Sequence, residues 1–153
     1  MKIREANKKD LPQLKKLFLE SQKHEASFDP EVVINEKTPQ RINQLIDEVF
    51  RNPGRMLFIA ENQKNIAGYI LVIYSPGVTK SGWVGEIFIT ESSRRKGIGS
   101  KLMNMATNWL KQKRAQAIKL TAYKTNKAAL SFYKKQSFKK EPAKLINLTK
   151  PIK

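Results

Sequence analysis

The residues with the most chemical content form one segment, Arg94-Arg95-Lys96-Gly97-Ile98-Gly99-Ser100, set between a run that reads as a strand and a pattern that reads as an amphipathic helix. Glycine lets the backbone turn sharply and approach a ligand, so that consecutive amide N–H groups can point at phosphate oxygens. The positive end of the following helix and three basic side chains add to the same field. The segment therefore reads as a phosphate-binding turn, with a plain basic surface turn as the alternative. Two familiar phosphate motifs do not fit. A Walker loop needs Gly, four residues, then Gly-Lys-Ser/Thr, which is not present, and a dinucleotide fingerprint needs a third glycine where this chain has Leu102.

Other catalytic constellations are missing. The chain has no cysteine, which removes disulfides, thiolate nucleophiles and zinc-thiolate sites together. No Ser-His-Asp order, metal-ligand cluster or paired acidic motif supports hydrolysis or metal chemistry. The lone His24 could act as a base, since its unperturbed pKa is near 6.5. It falls in a stretch, 23–37, without a clear period, where a lone surface histidine is the alternative.

The elements that would position the turn can be read along the chain. Residues 2–6 alternate in polarity as a short strand. Asp10 as N-cap and Pro12 in the first turn open a helix whose Leu11, Leu14, Leu17, Phe18 and Ser21 share a face. Residues 23–37 read as a loop or irregular helix, in which Phe28, Val32, Val33 and Ile34 could line a pocket or anchor the loop. Thr38-Pro39 opens a second helix with Ile42, Leu45, Ile46, Val49 and Phe50 on one face, closed by Asn52-Pro53-Gly54. Residues 56–61 and 66–74 form a hairpin, and residues 83–89 a further strand.

A helix over about 100–114 follows the glycine turn, with Ile98, Leu102, Met105, Ala106, Trp109 and Leu110 along its apolar face. Residues 117–123 read as a strand and 126–135 as a short helix. Two closing strands are expected from Phe138 onward and over 144–148, around Pro142. The strand-helix-strand unit over 83–123 should be a right-handed parallel crossover, and the whole an α/β chain with a largely hairpin-built sheet.

Charge is unevenly spread. There are 30 Lys plus Arg against 13 Asp plus Glu, a net +17. Residues 1–91 carry 13 basic and 12 acidic side chains, whereas residues 92–153 carry 17 basic and only Glu141 as an acid. Such an imbalance suggests a polyanionic partner for the second half, whether nucleic acid, anionic lipid or a phosphate-rich cofactor. Of the bases 23 are Lys and seven Arg, the balance of a solvated surface more than of a base-reading one. Apolar residues at 40% and aromatics at 8% place the chain among globular proteins, of a size that fits one domain over 1–153. With neither a signal-peptide core nor an apolar run of membrane-spanning length, the chain reads as cytoplasmic, with no membrane partner.

The residues around the turn resemble the GCN5-related N-acetyltransferase (GNAT) family. Its signature, Arg or Gln, two residues, Gly, one residue, Gly or Ala, stands here as Arg94, Gly97 and Gly99. Glu86-Ile87-Phe88-Ile89 is similar to the apolar fourth strand before it. Asn126, Ala129, Phe132-Tyr133 and Phe138 are similar to the second motif, with Ser137 where a glycine is usual. The resemblance implies an α/β (α+β) fold with a mixed, mostly antiparallel sheet, splayed fourth and fifth strands and about four flanking helices.

Acetyl-CoA would lie in the splay as co-substrate, with no metal. The backbone of Ile87, Phe88 and Ile89 would bind its pantetheine arm, and the amides of Arg95, Lys96, Gly97, Ile98, Gly99 and Ser100, with Arg94 alongside, its pyrophosphate. Asn126 would contact the pantetheine or the fifth-strand backbone, a role compatible with capping its own helix, and Ala129 and Tyr133 would also lie at the coenzyme. Tyr133 would protonate the departing thiolate, the alternative being a ring packed beside Phe132. Glu86 is the one acid of the 83–89 strand, where the family often has its base; alternation puts it on one face with Val84 and Phe88. An exposed carboxylate paired with a lysine is the alternative.

The implied reaction is acetyl transfer to a primary amine (small amine, amino acid, or peptide or protein) by direct attack in a ternary complex. The acceptor would be set mainly by the first two helices and residues 23–37, with the loop 76–82 and the closing strands contributing. A homodimer and a basic nucleic-acid or polyanion binding protein on the same scaffold remain as further readings.

Overall fold

The computed structural model describes residues 1–77 and 80–152. Val78 and Thr79, within the loop 76–82 assigned above to the acceptor, lie outside the described residues. The chain forms two compact units, Met1–Thr121 and Ala122–Lys153.

The first unit runs β1 (Lys2–Glu5), a 3-10 turn (Lys8–Asp10), α1 (Leu11–Ala26), α2 (Thr38–Arg51), β2 (Arg55–Asn62), β3 (Asn65–Tyr74), β4 (Ser81–Ile89), a second 3-10 turn (Glu91–Ser93), α3 (Ile98–Gln112) and β5 (Ala117–Lys119). The sheet order is β1-β2-β3-β4-β5. The first four strands pair antiparallel, and β5 returns parallel to β4 through α3. The mixed, mostly antiparallel sheet expected from the sequence is the one observed.

Helical periodicity decides where the core sits. In α1, Leu14, Leu17, Phe18 and Ser21 are buried at three-to-four spacing, as are Ile42, Ile46 and Val49 in α2. They pack on one sheet face against Leu57, Ile59, Tyr69, Leu71 and Phe88. On α3, Ile98, Leu102, Met103, Ala106, Trp109 and Leu110 are buried. A Cβ at Gly82 would sit 2.3 Å from a Leu110 methyl, so glycine there permits the close approach of α3 to β4.

Several local readings are corrected. His24 is helical, because α1 continues to Ala26. Asp10 does not cap α1 with its side chain. Its Oδ2 instead accepts from the Asn7 amide at 2.8 Å and from Arg4 at 2.8 Å, while Asn7 caps the 3-10 turn. The third helix begins at Ile98, two residues earlier than read, because Gly97 in the left-handed region serves as its cap. A bulge between Leu71 and Val72 sets Leu71 opposite Glu86 but Val72 opposite Val84, skipping Gly85. Paired residues share a face, so Glu86 and Phe88 lie on the α1 side, and Val84, expected beside them, lies on the other.

The β4–β5 ladder is short. Ser81, Gly82 and Trp83 pair with Ala117, Ile118 and Lys119, and the pairing ends there. From Val84 to Ile89 that edge of β4 has no strand partner among the described residues, which is the splay the family resemblance implied. The fifth strand accordingly stops at Lys119 and does not reach 123.

In the second unit, α4 (Lys127–Lys135) is capped by Asn126, whose side chain accepts from the Ala129 amide at 3.1 Å. Its end is a Schellman turn. The Ser137 amide donates to Lys134 O and the Phe138 amide to Tyr133 O, both at 3.0 Å, and Ser137 has a φ of 68°. The two expected closing strands are absent, and residues 138–152 carry no regular element. Leu145, Ile146 and Leu148 are exposed there. β-propensity without a ladder partner or a face to bury does not make a strand.

Candidate active site

The glycine turn leaves β4 at its unpaired end and is tied back to it by side chains. Arg94 Nε donates to Ile89 O at 3.0 Å, and its guanidinium carbon lies 5.9 Å from the Phe88 ring centroid. Lys96 Nζ donates to Ser92 O at 2.9 Å. These two bases therefore hold the turn in shape besides contributing charge. Arg95 and Gly97 have φ of 60° and 75°, both in the left-handed region. A Cβ at Gly97 would meet nothing within 4 Å, so glycine is needed there for its dihedral, not for room.

Buried Ile98 anchors the start of α3. Among the described residues, the amides of Arg95, Lys96, Gly97, Ile98 and Gly99 have no acceptor within the protein. Consecutive free N–H groups at a helix start, under open space, fit a bound anion.

Glu86 lies further back along the same strand, half-buried on the α1 side. Two hydroxyls donate to one of its oxygens, Oε1: Ser21 from α1, and Tyr69 from β3 at 2.5 Å. The Tyr69 ring stacks on Phe18 with centroids 4.3 Å apart and lies 6.1 Å from Phe88, which fixes where its hydroxyl points. The other carboxylate oxygen, Oε2, accepts no hydrogen bond. No buried side-chain oxygen or nitrogen among the described residues lacks a partner, so Oε2 keeps contact with solvent.

Burial pushes the Glu86 carboxyl above the usual carboxylate range, the Ser21 and Tyr69 hydroxyls pull it partly back, and the negative charge of Glu25 raises it further. Burial first, then Glu86, keeps Tyr69 protonated well beyond a free tyrosine. A carboxylate whose hold on a proton is strengthened by burial, with one oxygen left open, suits a group that accepts a proton. The reading of Glu86 as a lysine-paired surface carboxylate does not hold, since its partners are these hydroxyls.

His24 sits in the last turn of α1, its ring edge-on to Phe28 at 5.1 Å. Desolvation and then the Arg94 charge lower its pKa below the ordinary histidine value. In the second unit, Tyr133 is half-buried, between Phe132 at 5.4 Å and Phe138 at 5.9 Å, and burial raises its pKa. Glu86, Ile87, Phe88, Ile89 and the turn thus fall in the first unit, and Asn126, Ala129 and Tyr133 in the second. Among the described residues no group of three or more His, Asp or Glu side chains could hold a metal ion, and no helix is long and apolar enough to cross a membrane.

Residues 13–138 match the family model described as Acetyltransferase (GNAT) family. The chain belongs to the GNAT acetyltransferase family. It is 35% identical over 78 residues to the N-terminal acetyltransferase complex ARD1 subunit homolog of Dictyostelium discoideum, a match covering 50% of this chain and 38% of that protein. Among solved structures, a mutant of the BH1408 protein from Bacillus halodurans superposes with a TM-score of 0.81 at 17% identity, over 99% of both chains.

An aminoglycoside antibiotic 6'-N-acetyltransferase, AAC(6')-IG, from Acinetobacter haemolyticus gives 0.76 at 16% identity over 100% of both. AAC(6')-Iy, solved in complex with a CoA-linked bisubstrate analog, gives 0.74 at 16% identity, covering 99% of this chain and 98% of that one. At these identities the structural likeness speaks for the fold. Within this GNAT chain, Ser21 and Tyr69 were not legible as site residues. One reads as the polar end of an apolar helix stripe and the other as one more large residue in a buried strand.

Proposed function

We propose that this GNAT chain is an acetyl-CoA dependent N-acetyltransferase that acetylates a primary amine by direct attack in a ternary complex. The observation that carries the reading is the continuity of one edge. The unpaired stretch of β4 from Val84 to Ile89 leads straight into five acceptor-free amides, with a solvent-accessible carboxylate oxygen on the same strand. Such an edge fits an extended amide-bearing arm ending in a pyrophosphate, because each supplies hydrogen-bond partners for the other. Bound acetyl-CoA supplies the activated acetyl thioester.

The chain's own residues do the rest. The Arg95–Gly99 amides and the start of α3 bind the pyrophosphate, and Ile87, Phe88 and Ile89 offer backbone groups along the arm. An amine arrives as an ammonium ion and becomes a nucleophile only when it gives up a proton. Glu86 accepts that proton at Oε2, directly or through a water, and its raised pKa brings it closer to that of the amine. As the C–N bond forms and the C–S bond breaks, Tyr133, kept protonated by burial, gives its hydroxyl proton to the departing sulfur and is reprotonated by the second proton that the nitrogen loses.

The test is a panel of amines, amino acids, aminoglycosides, polyamines and peptides incubated with acetyl-CoA, read by free thiol release. At least one class should give turnover well above acetyl-CoA alone. A panel in which none does would contradict the proposal.

A further inference from the structure

We infer that Ser21 and Tyr69 are positioning residues for the base: they hold Oε1 of Glu86 from two directions and so aim the unoccupied Oε2 at the acceptor amine. This deepens the reading of Glu86 as the proton acceptor and rests on it. Geometry carries the inference. A carboxylate on a strand can rotate about its terminal torsion, whose preference is broad. Two donors from different elements, one on α1 and one on β3, converge on the same oxygen and remove that freedom.

Each donor is itself held. Tyr69 is fully buried, with its ring stacked on Phe18, and Ser21 is buried on the core face of α1. The bulge at Gly85 turns Val84 to the other face while Glu86 stays with Phe88 on the α1 side, where both hydroxyls lie.

The hydroxyls also set when Glu86 holds a proton. A hydrogen bond donated to a carboxylate favours the charged form, so each one lowers the affinity of Glu86 for its proton. The other titratable groups acting on Glu86 from the packed elements are Glu25 on α1, whose charge works in the opposite direction, and Tyr69 itself on β3. Removing either hydroxyl should therefore move the protonation of Glu86 to higher pH. A packing role without the hydrogen bond to Oε1 would not do this.

The experiment titrates the carboxyl carbons of 13C-glutamate-labelled protein by NMR, with the Glu86 signal assigned by its loss in Glu86→Gln. Tyr69→Phe and Ser21→Ala should each shift the Glu86 midpoint upward, and Ser21→Thr, which keeps a hydroxyl, should restore it. In parallel, kcat/KM toward an amine accepted in the panel should fall in each variant, about tenfold on the acidic limb of its pH profile, since a hydrogen bond to a charged group is worth about a factor of ten or more, and by a smaller factor on the plateau, where only the aim of Oε2 is lost. KM for acetyl-CoA should not change. Ser21→Ala keeps the test open if Tyr69→Phe does not fold.

A Glu86 midpoint that stays put in both variants would overturn the inference. An acidic limb that persists unchanged in Glu86→Gln would instead overturn the assignment of Glu86 as base. The two failures can thus be told apart.

Discussion

The hydroxyl of Tyr69 lies 2.5 Å from Oε1 of Glu86, across the neighbouring strands β3 and β4. The core thereby holds a carboxyl that it also makes costly to ionise. Because the folded-state pKa of Glu86 is raised, the native protein loses stability as pH rises from the unfolded value of about 4 toward the folded one. Glu86→Gln should therefore raise Tm at pH 8, and the gain should vanish near pH 4. Thermal melts at the two pH values check this. The same variant should lose most of its turnover, so that stability and activity move in opposite directions.

The Arg4 cluster should behave in the opposite sense. Arg4 donates to both oxygens of Asp10 at 2.8 and 2.9 Å and to Glu61 at 3.1 and 2.9 Å, joining β1 to β2 and to the turn before α1. Its hydrogen bonds hold the Asp10 carboxyl below the usual range against the effect of burial. With a folded pKa below the unfolded one, this stabilisation is present above about pH 4 and is lost as pH falls through the folded value. Arg4→Met should cost about 2–3 kcal/mol at pH 7, since it leaves a buried carboxylate without its partner. Urea melts at pH 7 and pH 3 should show that cost shrinking on acidification.

Ser137 occupies a left-handed position at the end of α4 where the family usually has glycine. An L-residue is strained there, and Ser137→Gly should stabilise the turn by about 1 kcal/mol, partly offset by the greater freedom of glycine in the unfolded chain. Amide hydrogen exchange along Lys127–Lys135 checks it, with slower exchange expected in the variant.

Tyr133→Phe should lower kcat by about a hundredfold or more if its hydroxyl supplies the proton to sulfur. Affinity for acetyl-CoA should stay nearly the same. Steady-state kinetics with calorimetric binding separates the two effects, and full activity in the variant would remove Tyr133 from catalysis.

Much of this molecule is legible in its sequence, for physical reasons that particular residues make plain. Apolar spacing in Leu14, Leu17 and Phe18, and in Ile42, Ile46 and Val49, gives the helices and their buried faces. The Arg94, Gly97, Gly99 spacing marks the turn, because glycine takes the left-handed backbone found at Gly97 without strain. The surroundings of Glu86 were not legible, since strict alternation put Val84 on its face and a one-residue bulge at Gly85 reversed that. No local pattern announces such a bulge, and none announces that Ser21 and Tyr69, far apart in sequence, converge on one oxygen. The expected closing strands over 138–148 failed for a related reason, as strand formation depends on a partner that the segment itself does not contain.

Calorimetric titration of acetyl-CoA into the wild-type chain, Gly99→Glu and Gly97→Ala bears most directly on the proposed coenzyme site. Gly99→Glu places a negative side chain among the acceptor-free amides at a position without a left-handed dihedral, and Gly97→Ala imposes the backbone strain without the charge. The wild-type chain should bind at micromolar levels, Gly97→Ala should bind more weakly, and Gly99→Glu should show no measurable binding while melting as the wild type does. Affinity in Gly99→Glu equal to that of the wild type, or no binding by the wild type, would contradict the assignment.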